Sequence, residues 1–274
     1  MGIRSRPPRR GRRHLSAVLL VILLTGVAAC RIEPVPINDP GHFTAGPWLW
    51  QWQATGALDT DAAAAVFLLD PVATTSAETG LLRARDRRLI CQVSAGTYSS
   101  ADPDADRFPA SVRGRGIGDD GARWVDVRQW EILEPIIADR LRLCRGKRFH
   151  AAALTGMDGY AHRSGFRLTY DDQIRFNRRV AELTRSVGLS PGMVDNLDQV
   201  AALAPDFDFA VTQECVRLRR CAKLLPFTEA GKPVLHVEYD RAPTDFCVTG
   251  LGYGFSSMRK NRSLDAWRDP CPIA

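Results

Sequence analysis

The chain has 274 residues and a formal net charge of +6, and its 45% apolar and 25% charged residues are typical of a globular protein. Six of the 37 basic residues are arginines within residues 4–13, and the first 30 residues contain no acid. The remainder carries 31 basic and 31 acidic residues, so it is formally neutral. A positive charge confined to the leader gives the folded part no reason to bind nucleic acid, and we expect no such partner.

Residues 1–29 have the parts of a secretory signal: an arginine-rich start, an apolar run over residues 15–29, and small residues at its end. Cys30 follows directly, as in a bacterial lipobox, where the cysteine is lipidated and becomes the new N-terminus. The alternative is an ordinary signal peptide with an incidental cysteine. The apolar run is shorter than the roughly 20 residues that a transmembrane helix needs. We therefore expect export, either as a cell-membrane lipoprotein facing outward and anchored only through Cys30, or as a secreted protein.

Residues 30–44 are rich in proline and turn formers, which indicates a tether between the lipid and the domain. Residues 45–274 are enough for one large domain. Six cysteines lie there, and an even number in an exported chain favours three disulfides. The expected pairs, which the sequence alone does not fix, are Cys215 with Cys221, Cys247 with Cys271, and Cys91 with Cys144. No cysteine–histidine cluster has zinc-site spacing, so neither a metal nor another cofactor is expected.

Short apolar runs alternate with amphipathic stretches over this domain, as in a parallel sheet whose strands are joined by helices. The predicted strands are residues 48–53, 64–69, 88–94, 149–154, 190–194, 207–211, 234–237 and 254–258. The predicted helices are residues 76–87, 129–145, 170–187, 197–203, 218–230 and 263–267. Eight alternations predict an α/β fold, a single (β/α)8 TIM barrel. A doubly wound open sheet is the alternative, but no G-x-G-x-x-G motif follows any strand.

Polar side chains follow the predicted strands at their C-terminal ends, where a (β/α)8 barrel places its chemistry. They are Gln53, Asp70, Ser94, Thr155, Asp195, Asn196, Gln213, Glu214, Glu238, Tyr239, Arg259 and Lys260. A ring of this kind suits a sugar-binding mouth. Three tryptophans, at positions 48, 50 and 52, alternate along the first strand, which fits burial in the barrel as well as stacking on a sugar.

Short motifs run through the whole domain in a fixed order. They are WQWQ at 50–53, CQVSAG at 91–96, WVDVR at 124–128, DGY at 158–160, LDQV at 197–200, PDFDFAV at 205–211, EY at 238–239 and LDAWR at 264–268. On these motifs the chain resembles the endo-α-1,4-polygalactosaminidases, glycoside hydrolase family 114. The resemblance implies a TIM barrel, a polysaccharide partner and two catalytic carboxylates at strand ends.

The departures from the family pattern fall where the resemblance places catalysis. The family's E-P-D-N-V-D-G-Y aligns with residues 153–160, which puts Thr155 at the position of the catalytic aspartate. Its A-V-N-E-Q-C aligns with residues 210–215, which puts Gln213 at the position of the catalytic glutamate. Glycoside hydrolysis generally needs two carboxylates beside the scissile bond, whereas threonine and glutamine can only hydrogen-bond to sugar hydroxyls. The resemblance therefore predicts a degenerate catalytic pair.

Four displaced carboxylates are candidates to replace the missing pair: Glu214, Asp195, Asp158 and Glu238. Glu214 follows Gln213, so in a regular strand it points to the opposite face, away from the barrel axis, unless a bulge turns it back. Asp158 and Glu238 match family positions, but a turn cap and an ion pair are structural alternatives for them. The predicted substrate-binding residues are Trp50, Asp70, Asp158, Tyr160, Asp195, Glu238 and Tyr239.

The loop between Cys215 and Cys221 contains Arg217, Arg219 and Arg220. Beside the mouth, these arginines would repel a cationic polygalactosamine and favour an anionic or neutral glycan; the alternative is that they only face solvent.

Three functions remain open from the sequence. The preferred one is carbohydrate binding or cell-envelope interaction by a monomeric, degenerate hydrolase. The second is an active hydrolase on an amino-sugar or other polysaccharide that uses displaced carboxylates. The third is a scaffold for protein contacts. A mouth blocked by Phe67 and Met157 would indicate the scaffold, and an open polar cleft would indicate sugar binding.

Overall fold

The computed structural model describes residues 1–2, 47–118 and 121–272. The chain divides into two compact units, Met1–Val35 and Pro36–Ala274, and the fold below is that of the second. Beyond the first two residues, the predicted signal peptide, the Cys30 lipidation site and the tether lie outside the described residues. Among the described residues, no helix combines the length and the apolarity needed to cross a membrane.

Twelve strands and six α-helices occur in the described parts of the chain. The strands are Trp50–Gln53 (β1), Val66–Leu69 (β2), Arg88–Ser94 (β3), Thr97–Ser99 (β4), Arg113–Ile117 (β5), Ala122–Val125 (β6), Ala151–Thr155 (β7), Ser190–Val194 (β8), Phe209–Gln213 (β9), Val234–Glu238 (β10), Ser256–Lys260 (β11) and Arg268–Pro270 (β12). The helices are Ser76–Ala84 (α1), Trp130–Gly146 (α2), Tyr170–Ser186 (α3), Val200–Leu203 (α4), Leu225–Glu229 (α5) and Cys247–Gly252 (α6).

Eight parallel strands form the wall of a (β/α)8 barrel. Their order in the sheet is β1, β2, β3, β7, β8, β9, β10 and β11, which is also their order in the chain. All eight overlap the predicted strands, with bounds that differ by up to two residues, so the predicted barrel is confirmed. A ninth strand, β12, pairs antiparallel with β11. The remaining three form a small antiparallel sheet between β3 and α2, which the sequence patterns did not reveal.

Two buried clusters lie on the two faces of the barrel wall. One cluster contains strand residues such as Trp50, Trp52 and Leu68, and it fills the barrel interior. The other contains their chain neighbours Phe67 and Leu69 together with helix residues, so it is the layer between the sheet and the helices. Successive residues of a strand thus alternate between the two clusters, as expected for a parallel strand that is buried on both faces. Hydrophobic burial on both sides of the sheet is the main contribution to the stability of such a fold.

The predicted helices with a long apolar stripe are confirmed, as at Trp130–Gly146 and Tyr170–Ser186. The helix α3 begins at a capping box, in which the Thr169 side chain accepts from the Asp172 backbone N–H and the Asp172 side chain accepts from the Thr169 backbone N–H. The predicted helix at residues 263–267 is wrong. There the Asp265 carboxylate accepts from the Ser263 hydroxyl at 2.9 Å and from the Trp267 N–H at 2.9 Å, which stabilises a turn in place of a helix.

The C-terminal segment closes the barrel between β11 and β1. Arg268 donates to the Trp50 carbonyl at 2.9 Å, and the Ala54 N–H donates to the Leu264 carbonyl at 2.8 Å. Lys260 is 1% exposed, and its ammonium donates to the carbonyls of Asp265 and Trp267 at 2.5 Å each. Burial lowers the pKa of Lys260 to about 8. The first and last strands are therefore joined through a buried lysine and the chain end.

The three expected disulfides are confirmed. Cys91–Cys144 joins β3 to α2, Cys215–Cys221 closes a short loop after β9, and Cys247–Cys271 ties the start of α6 to the C-terminal segment. The first bond lies in the layer between sheet and helices, because both of its cysteines belong to the buried cluster of that layer. The second shapes one wall of the cavity described next.

Candidate functional site

A polar cavity of about 520 Å³ opens at the C-terminal ends of β8, β9 and β10. Six predicted site residues line it: Asp158, Tyr160, Asp195, Gln213, Glu214 and Tyr239. Three polar residues of the lining were not predicted from the sequence: His162, Asp198 and Arg262. Asp198 belongs to the LDQV motif and Arg262 follows the last parallel strand, so both lay next to signals that the sequence offered. The cavity occupies the edge of the barrel where the fold class places its sites.

Left-handed backbone turns carry two of the cavity's carboxylates. Asp195 and Asn196, directly after β8, have φ of 55° and 53°, and Glu214, directly after β9, has φ of 56°. The left-handed region is unfavourable for residues other than glycine, although Asn and Asp tolerate it best. The turn at Glu214 reverses the alternation of the strand. The expectation that Glu214 points away from the axis is therefore wrong, since Glu214 and Gln213 line the same cavity.

Gln213 connects Asp195 to Tyr239 at the floor of the cavity. Its backbone N–H and its side-chain Nε2 each donate to the Asp195 carboxylate at 2.9 Å. Its Oε1 accepts from the Tyr239 hydroxyl. Burial raises the pKa of Asp195, although the hydrogen bonds from Gln213 act in the opposite direction. Burial also raises the pKa of Tyr239, and the neighbouring charge of Asp195 adds to this shift.

Two arginines hold Glu214 from the solvent side. Arg217 donates through Nε and an Nη to the two carboxylate oxygens at 2.7 and 2.9 Å, a bidentate pair. Arg262 donates to the same carboxylate at 2.9 Å. The Glu214 side chain is only 12% exposed in this arrangement. A carboxylate held by two guanidinium groups is fixed in position.

The other two cavity carboxylates also have neighbours within bonding distance. Asp158 lies 2.8 Å from Nε2 of His162, whose ring stacks on Trp124 with centroids 4.8 Å apart. Asp198 accepts from Lys223 and, at 2.6 Å, from Arg220. These hydrogen bonds, with that from Lys223 the larger, lower the pKa of Asp198.

Three predicted substrate-binding residues lie away from this cavity. Trp50 is 1% exposed inside the barrel, where its Nε1 donates to the Ser256 carbonyl at 2.9 Å, so its predicted role in stacking on a sugar is wrong. Asp70 lines a separate cavity of about 480 Å³ at the ends of β2 and β3. Glu238 is fully buried. Thr155, at the inherited aspartate position, is not among the residues that line the polar cavity.

Glu238 holds the disulfide loop from beneath. Its Oε1 accepts from the backbone N–H groups of Val216 and Arg217 at 2.8 and 3.2 Å and lies 3.1 Å from Nε2 of His236. Burial opposes ionisation of Glu238, but the hydrogen bond and charge of His236 and the two N–H groups together lower its pKa. His236 and the sulfurs of Cys215 and Cys221 lie within 4.8 Å of one another. Because both sulfurs are bonded in the disulfide, this group offers no thiolate to a metal.

The structure is a (β/α)8 barrel with a polar cavity at its C-terminal edge. The sequence profile of glycoside-hydrolase family GH114 matches residues 38–274, and the chain belongs to this family. A comparison with functionally curated proteins gives no significant match.

Two solved structures have a fold similar to that of this chain. The structure of Ega3 from Aspergillus fumigatus in complex with galactosamine is 26% identical, has a TM-score of 0.77, and the match covers 83% of this chain and 96% of that one. The glycoside hydrolase domain of PelA from Pseudomonas aeruginosa is 12% identical, has a TM-score of 0.65, and the match covers 81% and 98% of the two chains.

Proposed function

We propose that this GH114 barrel binds a polysaccharide in its polar cavity without hydrolysing it. The observation that carries the proposal is the amide of Gln213. It stands where the family resemblance puts a catalytic glutamate, and it is engaged with both Asp195 and Tyr239. An amide neither donates a proton to a glycosidic oxygen nor acts as a nucleophile there. Thr155, at the other inherited position, carries a hydroxyl that is equally unsuited to both roles.

An open mouth supports a glycan as the ligand in preference to a protein scaffold role. Phe67 and Met157 are both 0% exposed and belong to the layer between sheet and helices, so they do not fill the mouth. The cavity that remains is lined mostly by polar side chains, with Tyr160 and Tyr239 contributing aromatic surface. Aromatic surface combined with convergent hydrogen-bonding groups is a feature of ligand pockets.

Hydrolysis by displaced carboxylates is the second candidate, and one observation favours it. The raised pKa of Asp195 is what a general acid needs. Glu214, which follows β9, lines the same cavity and is a second carboxylate. Against it, Glu214 is held by two guanidinium groups and Asp195 by Gln213. A nucleophile held by two cations reacts poorly.

Export and anchoring complete the proposal. The leader and Cys30 support a lipid-anchored protein on the outer face of the cell membrane, where it meets cell-envelope glycans as a monomer. Incorporation of a radiolabelled fatty acid by the full chain, and its loss in Cys30→Ala, tests the anchor. An unlabelled protein found entirely in the medium would replace the anchored form with a secreted one.

The decisive experiment measures binding and hydrolysis on the same polysaccharides. The proteins are wild type, Glu214→Gln, Asp195→Asn and the double reversion Thr155→Asp with Gln213→Glu. We expect the wild type to bind without releasing reducing ends, and any turnover to arise only in the double reversion. Turnover by the wild type that is lost in Glu214→Gln or Asp195→Asn would establish the second candidate instead. An absence of binding to every polysaccharide tested would contradict both.

A further inference from the structure

The face of the barrel opposite the polar cavity carries a concentration of basic residues, called here the basic cluster. It comprises residues 83–88 and 145–148, at the ends of α1 and α2, which contain a single acid, Asp86. Its seven basic residues are Arg83, Arg85, Arg87, Arg88, Arg145, Lys147 and Arg148. The two segments lead into β3 and β7, so they lie at the N-terminal ends of the strands, whereas the polar cavity lies at the C-terminal ends. The formal neutrality of the chain after residue 30 therefore hides an uneven distribution of charge.

Most of this positive charge has no acidic partner within the described part of the chain. Four of the seven cations form no ion pair there: Arg83, Arg87, Arg145 and Arg148. Burial lowers the pKa of Arg83, and the charges of Arg148 and Arg145 lower it further. Nε of Arg83 and Nε of Arg87 are buried without a hydrogen-bond partner among the described residues. The basic cluster thus holds like charges close together, and an external anion would stabilise it.

The excess of charge is local, because other arginines at this end of the barrel are paired. Arg185 binds Asp208 at 2.6 Å, directly before β9, and Arg85 binds Asp61 at 2.7 Å. Pairs of this kind leave little net charge. The unpaired cations are therefore confined to the side of the barrel where α1 and α2 end.

The chain enters the barrel beside the basic cluster. Trp48, two residues before β1, lies against the guanidinium of Arg88, whose carbon is 4.7 Å from the centroid of the ring. The residues between Cys30 and Trp48 can span at most about 60 Å when fully extended. A tether of this length brings the entry point to a bilayer without fixing which face of the barrel contacts it. Attraction between charges, which acts within about 8–10 Å at physiological ionic strength, can fix that face.

Exposed apolar side chains border the entry point on its other side. Leu251, on α6, is 45% exposed and lines a small cavity together with Pro47 and Trp48. Val248, one turn earlier on the same helix, is 81% exposed. Basic and exposed apolar residues together are the composition that holds peripheral elements on an anionic bilayer. A nucleic acid backbone would use only the basic part, so the combination favours a membrane.

From these contacts we infer that the basic cluster docks the barrel on an anionic membrane surface and turns the polar cavity away from it. The phosphate groups of anionic lipids supply the negative charge that the described residues around the cluster lack. The choice of a membrane as the partner rests on the export and anchoring in the proposed function, although the contact itself needs no acyl chain. Envelope glycans then reach the cavity from the side opposite the bilayer.

Chemical modification of arginine side chains by a dicarbonyl reagent, followed by mass spectrometry, tests the inference on the exported protein isolated from its host. The protein is mixed with vesicles of phosphatidylcholine, or of phosphatidylcholine containing about one-third phosphatidylglycerol. Arg148 and Arg163 are both exposed, and Arg163 follows the C-terminal end of β7. We expect Arg148 to react about tenfold more slowly on the anionic vesicles, and Arg163 to react equally on both. Equal reactivity of Arg148 on both vesicles overturns the inference. So does protection of Arg148 without vesicles, which would show that the chain itself covers the cluster.

A variant pair tests the physical cause. Arg145→Gln combined with Arg148→Gln removes two charges from the basic cluster. The matched control, Arg163→Gln combined with Arg167→Gln, removes two exposed charges near the opposite face. Each arginine beside an anionic bilayer strengthens binding about fivefold, so the preference for anionic over neutral vesicles should fall about 25-fold in the first variant and little in the second. Arg145→Lys combined with Arg148→Lys should retain the preference. Equal losses in the first variant and the control would mean that net charge alone sets it, which overturns the inference.

The lipid anchor is decided separately by the fatty-acid labelling described above. An unlabelled protein whose Arg148 is still protected on anionic vesicles alone removes the anchor and keeps the inference. A labelled protein whose Arg148 reacts equally on both vesicles keeps the anchor and overturns the inference.

Discussion

The side-chain amide of Gln213 donates to the Asp195 carboxylate at 2.9 Å. Tyr239 donates to the oxygen of the same amide, which fixes the orientation of the group. A carboxylate at position 213 would face Asp195 as a like charge, and it would accept a proton in place of donating a hydrogen bond. The amide thus makes the present arrangement of Asp195 possible, and Gln213→Glu should disturb it.

The stability of the protein should depend on pH through Asp195. Burial raises the pKa of Asp195, so the folded state keeps this proton at pH values where the unfolded chain has lost it. The stability that Asp195 contributes is therefore complete below its ordinary pKa and is lost as the pH rises through the raised value. We expect Asp195→Asn to gain stability relative to the wild type as the pH rises above about 4, the ordinary pKa of an aspartate, as measured by urea unfolding. The control Asp240→Asn changes an exposed acid, and parallel curves for wild type and Asp195→Asn would contradict the prediction.

Lys260 should produce a pH dependence of the opposite sign. Burial lowers its pKa to about 8, so above that pH the folded state has released a proton that the unfolded chain still holds. The free energy of unfolding should therefore rise with pH between about 8 and 10, and Lys260→Met should abolish this slope. The matched control is Lys147→Met, which removes an ammonium that donates to the carbonyls of Pro71 and Thr74 at 2.7 Å each. The idea fails if both variants keep the slope of the wild type.

Glu238 should act on glycan binding through the disulfide loop. Glu238→Gln removes a fully buried carboxylate that accepts from the N–H groups of Val216 and Arg217, so it should cost about 1–3 kcal/mol of unfolding free energy. Because the loop also carries the arginine that holds Glu214, binding of the glycan should weaken as well. Denaturant unfolding and calorimetry measure the two effects. The exposed Glu229→Gln provides the control, and a variant at position 238 that matches it in both assays would refute this role.

Removal of the Cys215–Cys221 bond beside the cavity should affect both stability and glycan binding, whereas removal of the Cys247–Cys271 bond should affect stability alone. Loop-closure entropy predicts a loss of about 2 kcal/mol when Cys215 and Cys221 become alanines and about 3.5 kcal/mol when Cys247 and Cys271 do. The first double variant should bind the glycan more weakly, since its loop lines the cavity, whereas the second should bind normally. Thermal unfolding and titration of both variants check this crossed pattern. Equal effects on binding would mean that the loop is not specifically involved.

The sequence revealed the barrel because each strand is a short apolar run between amphipathic stretches, and that pattern is local. The predicted strand ends also placed Asp158, Asp195 and Tyr239 at one edge of the barrel, and all three line the same cavity. The side on which Glu214 lies could not be predicted, because it depends on a left-handed φ of 56° at a residue with no preference for that region. The Trp50 position likewise depends on which face of the first strand is the barrel interior, and alternation alone does not distinguish the two faces.

The barrel joins its first strand to its last residues, more than 200 positions apart in the chain, through Arg268 and the Trp50 carbonyl. Deleting residues 264–274 would remove both this bond and the one from the Ala54 N–H to the Leu264 carbonyl, so it should leave the wall open between β1 and β11.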